Sequence, residues 1–310
     1  MRSDSFLSLP PLTVAVSGAT GLIGTALVQR LRAGGHDVRR LLRSSRHAAP
    51  GDVVWDPASG ALHPTALTGV DAIVHLAGEP VAHRWTTERK HAIRASRVRA
   101  TEQLALAIRA MDPRPRVVLS GSAVGYYGDR GDALLDEKSG PGTGFLSDVC
   151  VAWEDAAAPI AEAGVRVVTL RTGIVLSPRG GALAKLLPIF RLGGGGPLGS
   201  GRQWMSWIAL GDHLRAMEHA IGAESLHGPV NLVAPNPVTN ADFATTLGRV
   251  LARPALVPVP AFALELLYGE MARSTLLAGQ RVLPRSLSAS GFEFAEPTLE
   301  GALRAELKEQ

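Results

Sequence analysis

The chain of 310 residues contains only one cysteine, Cys150. A single cysteine excludes an internal disulfide and offers no cysteine quartet for a zinc ion. The histidines do not compensate, because His75, His83, His91 and His213 lack the spacing of metal ligands. We therefore expect no metal site, and a reducing compartment such as the cytoplasm fits the composition best.

The chain also lacks a strong excess of one charge and a long uninterrupted apolar segment. Its 32 basic residues nearly balance 28 acidic residues and are scattered along the sequence, which argues against nucleic-acid binding. Residues Ser5–Gln29 carry no charge, but Pro10 and Pro11 interrupt the run, so we predict neither a signal peptide nor a membrane span. A hydrophobic share of 46% is instead typical of a packed globular protein.

The strongest functional signal is the segment Thr13–Gln29, TVAVSGATGLIGTALVQ. A β-branched run predicts a buried strand, three glycines three residues apart predict a tight turn, and helical apolar spacing follows from Leu22. The amide groups and positive dipole end of such a helix suit a pyrophosphate, so we expect a dinucleotide there. The alternative is that the glycines simply end an ordinary strand. The predicted cofactor contacts of the turn are Gly18, Ala19, Thr20, Gly21, Leu22, Ile23 and Gly24.

A second predicted strand, Asp37–Leu42, completes the unit and should end beside the adenosine ribose. A carboxylate at that point would bind the ribose 2′-hydroxyl of NAD. The chain instead offers Arg43, Ser44 and Arg46, which suit a 2′-phosphate, so NADP(H) is the preferred cofactor and NAD(H) remains possible. The alternative is that these arginines are solvated loop charges.

Strands and helices alternate along the chain as far as residue 176, which predicts an α/β fold with a Rossmann-type doubly wound parallel sheet. We expect this dinucleotide-binding domain over residues 12–176, with the chain returning to it around 204–235. Residues 177–203 and 236–308 should form a smaller C-terminal α/β substrate cap. Ligands of such sheets lie beyond the carboxyl ends of the strands. Four residues are expected just past strand ends: Gly78, Ser122, Tyr126 and Arg171. The last three of them should follow separate strands.

The segment Gly193–Gly201 is too rich in glycine for a regular element. We predict a mobile loop that resembles a lid, followed by Arg202, Trp204 and Trp207, which could grip a substrate. The alternative is a glycine-rich turn with two core aromatic residues.

Four motifs resemble the extended and atypical branch of the short-chain dehydrogenase/reductase superfamily: SGATGLIG at 17–24, HLAG at 75–78, SGSAVGYYG at 120–128 and LRTGIVL at 170–176. Further segments, including FLSDVCVAWE at 145–154 and SWIALGD at 206–212, resemble the epimerase-like family with a C-terminal domain of unknown function. The resemblance covers about residues 12 to 303. It implies additional cofactor contacts from Leu76, Ala77, Gly78, Glu79 and Arg171.

The same resemblance implies a catalytic serine, tyrosine and lysine, of which the chain keeps only the serine. Ser122 matches the residue that polarises a substrate carbonyl. Counting back from Glu154, Leu146 stands at the tyrosine position and Cys150 at the lysine position. A leucine cannot donate a proton, and a buried, inert thiol is the simpler interpretation of Cys150.

Tyr126 and Tyr127 follow the serine strand directly, so either is a candidate substitute acid. The alternative for both is an aromatic residue that packs without reacting. Glu137 resembles an acid used by some sugar dehydratases, although a surface carboxylate is the simpler interpretation.

The sequence therefore favours an NADP(H)-binding oxidoreductase or epimerase-like protein that acts on a small polar carbonyl or sugar-nucleotide-like substrate. The alternative is a cofactor-binding sensor or scaffold without turnover, which the missing tyrosine and lysine would allow. Under either function we expect the protein to bind a small-molecule substrate or ligand, and we expect it to bind neither nucleic acid nor a membrane. A homodimer through the helices around 86–111 and 145–163 is expected by fold analogy.

Overall fold

The computed structural model describes residues 10–308. The first part of the uncharged segment considered above, residues 5–9, therefore lies outside the described residues. Within 10–308, no helix combines the length and the apolar character needed to cross a bilayer.

Thirteen short strands and nine α-helices make up the regular structure of the described chain. The strands are β1 Thr13–Ser17, β2 Asp37–Leu42, β3 Val53–Val54, β4 Ala72–His75, β5 Val117–Ala123, β6 Leu134–Leu135, β7 Arg166–Thr172, β8 Ile174–Leu176, β9 Trp204–Met205, β10 Trp207–Ala209, β11 Gly228–Leu232, β12 Val238–Thr239 and β13 Arg281–Val282. The helices are α1 Leu22–Ala33, α2 Thr87–Arg109, α3 Phe145–Glu162, α4 Gly181–Arg191, α5 Leu210–Gly222, α6 Asn240–Leu251, α7 Ala261–Tyr268, α8 Arg285–Ala289 and α9 Leu299–Lys308.

Seven of the strands form one sheet in the order β11-β7-β5-β4-β1-β2-β3. Every neighbouring pair in this sheet is parallel. The strand order reverses between β1 and β4, and such a switch point leaves a crevice at the carboxyl ends of the strands. The predicted α/β fold with a Rossmann-type parallel sheet is confirmed.

The sheet is covered on both faces by helices, which is why its strands are apolar along both sides. One buried cluster joins the sheet to α1 and α5 through side chains such as Leu27, Leu31 and Met217. The other joins it to α2 and α3 through side chains such as Leu104 and Ile160. The packing of α1 against the sheet therefore fixes the first turn of this helix at the switch point.

The predicted strand Asp37–Leu42 agrees residue for residue with β2, and the helix expected around 86–111 is α2. Thr86 is its N-cap, with a side-chain oxygen that accepts a hydrogen bond from the amide of Arg89.

The predicted placement of three site residues relative to the strand ends was wrong. Ser122 and Arg171 lie inside strands rather than beyond them, because β5 and β7 stay paired as far as Ala123 and Thr172, and Tyr126 follows the same strand as Ser122.

The segments after β8 build a third buried cluster, in which α4, α6 and α9 enclose Phe190, Trp207 and Phe243. Between these segments β11 pairs with β7 at the edge of the main sheet, whereas β10 pairs with β8 in a separate two-stranded sheet. The remaining short strands form two ladders, β9 with β12 and β6 with β13.

The glycine-rich segment Gly193–Gly201 is irregular but is bonded to the rest of the chain. Its backbone hydrogen-bonds residues 257–259, with Val257 N donating to Gly195 O at 3.0 Å and Val259 N to Pro197 O at 2.9 Å. A β-carbon at position 196 would collide with the Val257 backbone. The glycines therefore permit close packing of this segment against residues 257–259, and the mobility expected of the segment stays a prediction.

Candidate active site

The turn between β1 and α1 depends on glycine at two positions for steric reasons. Gly18 has a φ of +67°, and a β-carbon there would lie 2.8 Å from the carbonyl carbon and oxygen of Leu76. A β-carbon on Gly24 would overlap the Gly18 carbonyl, so this glycine lets the helix approach the strand closely. The amide of Gly21 closes the turn by donating to the Gly18 carbonyl at 3.0 Å.

The first turn of α1 is open to an anion. Its N-cap, Gly21, has no side chain that could accept hydrogen bonds from the free amide groups, and no acidic residue occurs in the first turn. The first amides of a helix lack intrahelical partners and carry the positive end of the dipole. The region formed by Gly18, Ala19, Thr20, Gly21, Leu22, Ile23 and Gly24 thus has the donor groups that a pyrophosphate needs.

A buried hydroxyl and imidazole fix the neighbouring end of β4. Ser17 Oγ lies 2.7 Å from His75 Nδ1 and accepts hydrogen bonds from the amides of Leu76 and Ala77 at 3.1 and 3.3 Å. His75 is fully buried, and desolvation lowers its pKa to about 4. The histidine is therefore neutral near neutral pH and orients the Ser17 hydroxyl, which holds Leu76 and Ala77 beside the glycine turn.

Stability should fall on acidification because two histidines are buried uncharged. Desolvation lowers the pKa of His213, like that of His75, from 6.5 to about 4, so the unfolded chain takes up protons first. The free energy of unfolding therefore keeps its full value above about pH 6.5 and decreases as the pH falls towards 4, by roughly 3 kcal/mol per histidine. Denaturant unfolding across this range should show a shallower pH dependence for His75→Gln. Substitution of the exposed His91 is the control, and an equal effect of both substitutions would contradict the assignment.

The basic loop after β2 lies across from the residue that follows HLAG. Arg43 Nη1 pairs with Glu79 Oε1 at 3.0 Å, yet 76% of the arginine side chain is exposed. Ser44 Oγ accepts the amide of Arg46, and both residues are exposed. An exposed pair of this kind contributes little, about 0–1 kcal/mol, so Arg43 can turn to another anion at small cost.

Ser122 belongs to a buried polar network at the carboxyl ends of β5 and β7. Its hydroxyl donates to Glu154 Oε1 at 2.6 Å. Arg171 holds the same carboxylate in a bidentate pair, from Nε to Oε1 at 2.9 Å and from Nη2 to Oε2 at 2.8 Å. The parallel register places Ser122 opposite Arg171, so the two strands bring the three side chains together.

The two adjacent tyrosines occupy different environments. Tyr127 is fully buried, accepts from Arg171 Nη1 at 3.0 Å and donates to Asn231 Oδ1 at 2.7 Å, and burial raises its pKa to about 12. Tyr126 is half-buried, and its ring lies 3.5 Å from the Arg171 guanidinium carbon. No hydrogen bond of its hydroxyl occurs within residues 10–308. Tyr127 is therefore bound within the protein, whereas the Tyr126 hydroxyl is available to a ligand.

The positions of the missing tyrosine and lysine lie on α3 beside these residues. Leu146 and Cys150 both approach Gly125, at which a β-carbon would lie 3.4 Å from Leu146 Cβ and 4.0 Å from Cys150 Sγ. Burial, with the nearby Glu154 carboxylate, raises the pKa of Cys150 to about 11. The thiol is therefore protonated near neutral pH and is a poor nucleophile.

The sequence did not reveal the central position of Glu154 or the part of Asn231. A signal for Glu154 was present, since this residue ends the motif FLSDVCVAWE at 145–154. Asn231 had none, because it lies 104 residues from Tyr127, its hydrogen-bond partner. Glu137 also differs from its simpler interpretation, because Oε1 accepts the amides of Asn231 and Ser286, both at 3.1 Å. It ties the end of β11 to α8.

The sheet order, the glycine turn at its switch point and the polar network at the adjacent strand ends define a Rossmann-type α/β protein of the short-chain dehydrogenase/reductase class. The family model described as "NAD dependent epimerase/dehydratase family" matches residues 14–232, and "Domain of unknown function (DUF1731)" matches residues 259–306. The chain belongs to this epimerase/dehydratase family, as an atypical member that carries the additional C-terminal domain.

Individual relatives agree with this assignment. The chain is 46% identical over 291 residues to an epimerase family protein of Mycobacterium tuberculosis, covering 94% of this chain and 96% of that one. The crystal structure of human epimerase family protein SDR39U1 with NADPH has a TM-score of 0.88 and 37% identity, covering 96% and 100% of the two chains. The nucleoside-diphosphate sugar epimerase from Corynebacterium glutamicum has a TM-score of 0.81 and 39% identity, covering 98% of this chain and 61% of that one.

Proposed function

We propose that this protein is an NADP(H)-binding oxidoreductase or epimerase that acts on a small polar carbonyl or sugar-nucleotide-like substrate. The observation that carries the proposal is the uncapped first turn of α1 at the switch point of the sheet. The NADPH in the human relative supports the cofactor. The name of the Corynebacterium relative supports the substrate class.

The preference for the phosphorylated cofactor rests on the loop after β2. The exposed groups of Arg43, Ser44 and Arg46 lie at the end of the second strand, where the adenosine ribose of a bound dinucleotide belongs. Arginine binds phosphate in charge-assisted, often bidentate hydrogen bonds. Release of Glu79 from Arg43 would accompany binding of the 2′-phosphate.

The bound cofactor would supply or accept a hydride, and the chain's own groups would orient the substrate. The Ser122 hydroxyl must turn from Glu154 to donate to a substrate carbonyl, while Arg171 keeps the carboxylate paired. Tyr126 is the better candidate proton donor, because the Tyr127 hydroxyl is buried between Arg171 and Asn231. A positioned acid typically contributes about 10²–10⁴ in rate.

The alternative is a cofactor-binding sensor or scaffold without turnover. The observation that favours it is the apolar character of the α3 positions Leu146 and Cys150, which hold no ionised group near neutral pH. Both functions use the glycine turn, so only turnover separates them.

The experiment screens small carbonyl compounds by the loss of NADPH absorbance, and sugar nucleotides by analysis of the sugar product, because an epimerase returns the hydride to its substrate and leaves the NADPH absorbance unchanged. Once a substrate is found, Ser122→Ala should lower turnover by about 10²-fold or more and leave NADPH affinity unchanged. Ser120→Ala is the matched control, because Ser120 is buried on the same strand two residues earlier and has no hydrogen-bond partner in the described chain. Equal rates for the two variants would contradict the role of Ser122. Tight NADPH binding without turnover of any substrate class would favour the sensor.

A further inference from the structure

The exposed large hydrophobic side chains of the described chain are concentrated on one surface of the C-terminal cap. Eleven such side chains occur within residues 10–308, and three of them, Val54, Leu106 and Leu134, lie apart from one another in the first half of the chain. The other eight belong to residues 189–192 and 256–268, and their exposed fractions range from 38% to 88%. We call these two segments together the cap patch.

The two segments of the cap patch lie side by side. Arg253 Nε donates to the carbonyl oxygen of Arg191 at 3.0 Å, so the chain before the second segment is bonded to the end of α4 in the first. In the second segment, α7 turns Leu264 into the protein and leaves Phe262 and Leu266 exposed. Residues four apart lie on the same side of a helix, so these two side chains present one apolar face.

The cap patch is large enough for a stable contact between proteins. The largest apolar patch on a typical monomer measures about 300–600 Å². The exposed fractions of the eight side chains correspond to an area on the order of 1,000 Å², and each partner in a stable complex buries about 800 Å². Covering this surface removes apolar area from water, which favours association.

The charges of the cap patch favour a second copy of the chain over a lipid surface. Helices that bind anionic membranes carry lysine and arginine, whereas the single charged residue of α7 is an acid, Glu265. Its carboxylate pairs with Arg273 at 3.1 Å, and both side chains are partly exposed. Arg253 is exposed as well, and its Nη2 group makes no hydrogen bond within residues 10–308. A surface that carries both signs of charge can pair with a copy of itself across a two-fold axis.

We infer that the cap patch is the contact between two copies of this chain. Fold analogy favours a different contact, through the helices around 86–111 and 145–163. Of the large hydrophobic residues in those two ranges, Leu106 alone is exposed, so that surface offers much less apolar area. The cap patch shares no residue with the β1–α1 turn, and the inference does not depend on the proposed function.

Sedimentation velocity of the purified protein measures the pairing, and we expect a dimer at micromolar concentration. The double variant Phe262→Ser with Leu266→Ser should weaken the dimer at least about 100-fold, because a two-fold contact buries each side chain twice. Leu192→Asp tests the other segment and should weaken it about tenfold or more, since a charge enters the apolar contact. Leu106→Ser on α2 is the matched control, and it should change the dimer affinity by less than about threefold.

The substituted side chains are all exposed in the single chain, so thermal unfolding should show that every variant folds. A dimer that survives both patch variants would overturn the inference, and so would dissociation caused by Leu106→Ser. Weakening by only one of the two patch variants would contradict a contact made by both segments. A monomeric unmodified protein would also overturn it, and sedimentation of that monomer with phosphatidylserine vesicles would assign the cap patch to lipid instead.

Discussion

Replacement of Arg171 by methionine is expected to lower the free energy of unfolding by about 3–5 kcal/mol. Its guanidinium is bonded to Glu154 and Tyr127 and stacks on the Tyr126 ring, with only 4% of its side chain exposed. Removal of the cation leaves the Glu154 carboxylate, 15% exposed, with Ser122 as its remaining donor. An uncompensated buried charge costs more than the loss of a surface pair. Chemical denaturation monitored by circular dichroism measures the effect.

A matched surface pair provides the control for this prediction. Arg304 binds Glu300 one turn away on α9, and both side chains are substantially exposed. Arg304→Met should cost less than about 1 kcal/mol. The double variant Arg171→Met with Glu154→Leu should recover part of the lost stability, because the unpaired charge is then gone. Equal losses at Arg171 and Arg304 would show that the buried network contributes nothing beyond an ordinary surface pair.

Substitution of Gly21 by alanine should separate cofactor binding from folding. Gly21 has an extended backbone, with a φ of −79°, and a β-carbon there would meet only the Gly18 carbonyl oxygen at 3.4 Å. The fold should therefore accept alanine with a change of less than about 1 kcal/mol. The same methyl group enters the space where the backbone approaches a pyrophosphate, so NADPH affinity should fall about tenfold or more. Calorimetry and thermal unfolding measure the two effects.

Gly18 is the comparison, since it differs from Gly21 in both respects. Alanine at position 18 meets the Leu76 backbone at 2.8 Å in a left-handed conformation, so Gly18→Ala should lose stability as well as binding. Unchanged NADPH affinity of a folded Gly21→Ala protein would place the cofactor elsewhere. A large loss of stability in that variant would show that the turn has no room for a β-carbon at position 21.

The regular elements of the dinucleotide-binding part could be predicted because their signals are local. The run that became β2 is bounded by Gly34, Gly35 and a basic loop, and α2 begins at a threonine cap. The strand ends were harder to place. Residues 120–123 of β5 include two serines and a glycine, and they stay extended because β7 pairs with them up to Thr172.

The polar network of the site depends on contacts between distant parts of the chain, which no local pattern encodes. Ser122 and Glu154 are 32 residues apart, and Tyr127 and Asn231 are 104 apart.

The central claim is that the β1–α1 turn binds a phosphorylated nicotinamide dinucleotide, and calorimetric titration of the purified protein tests it most directly. We expect saturable binding of NADPH at one site per chain, roughly tenfold tighter than binding of NADH, because the groups after β2 suit a 2′-phosphate. Equal affinity for the two cofactors would remove the role of Arg43 and Arg46. Absence of binding by both would contradict the account of the site as a whole.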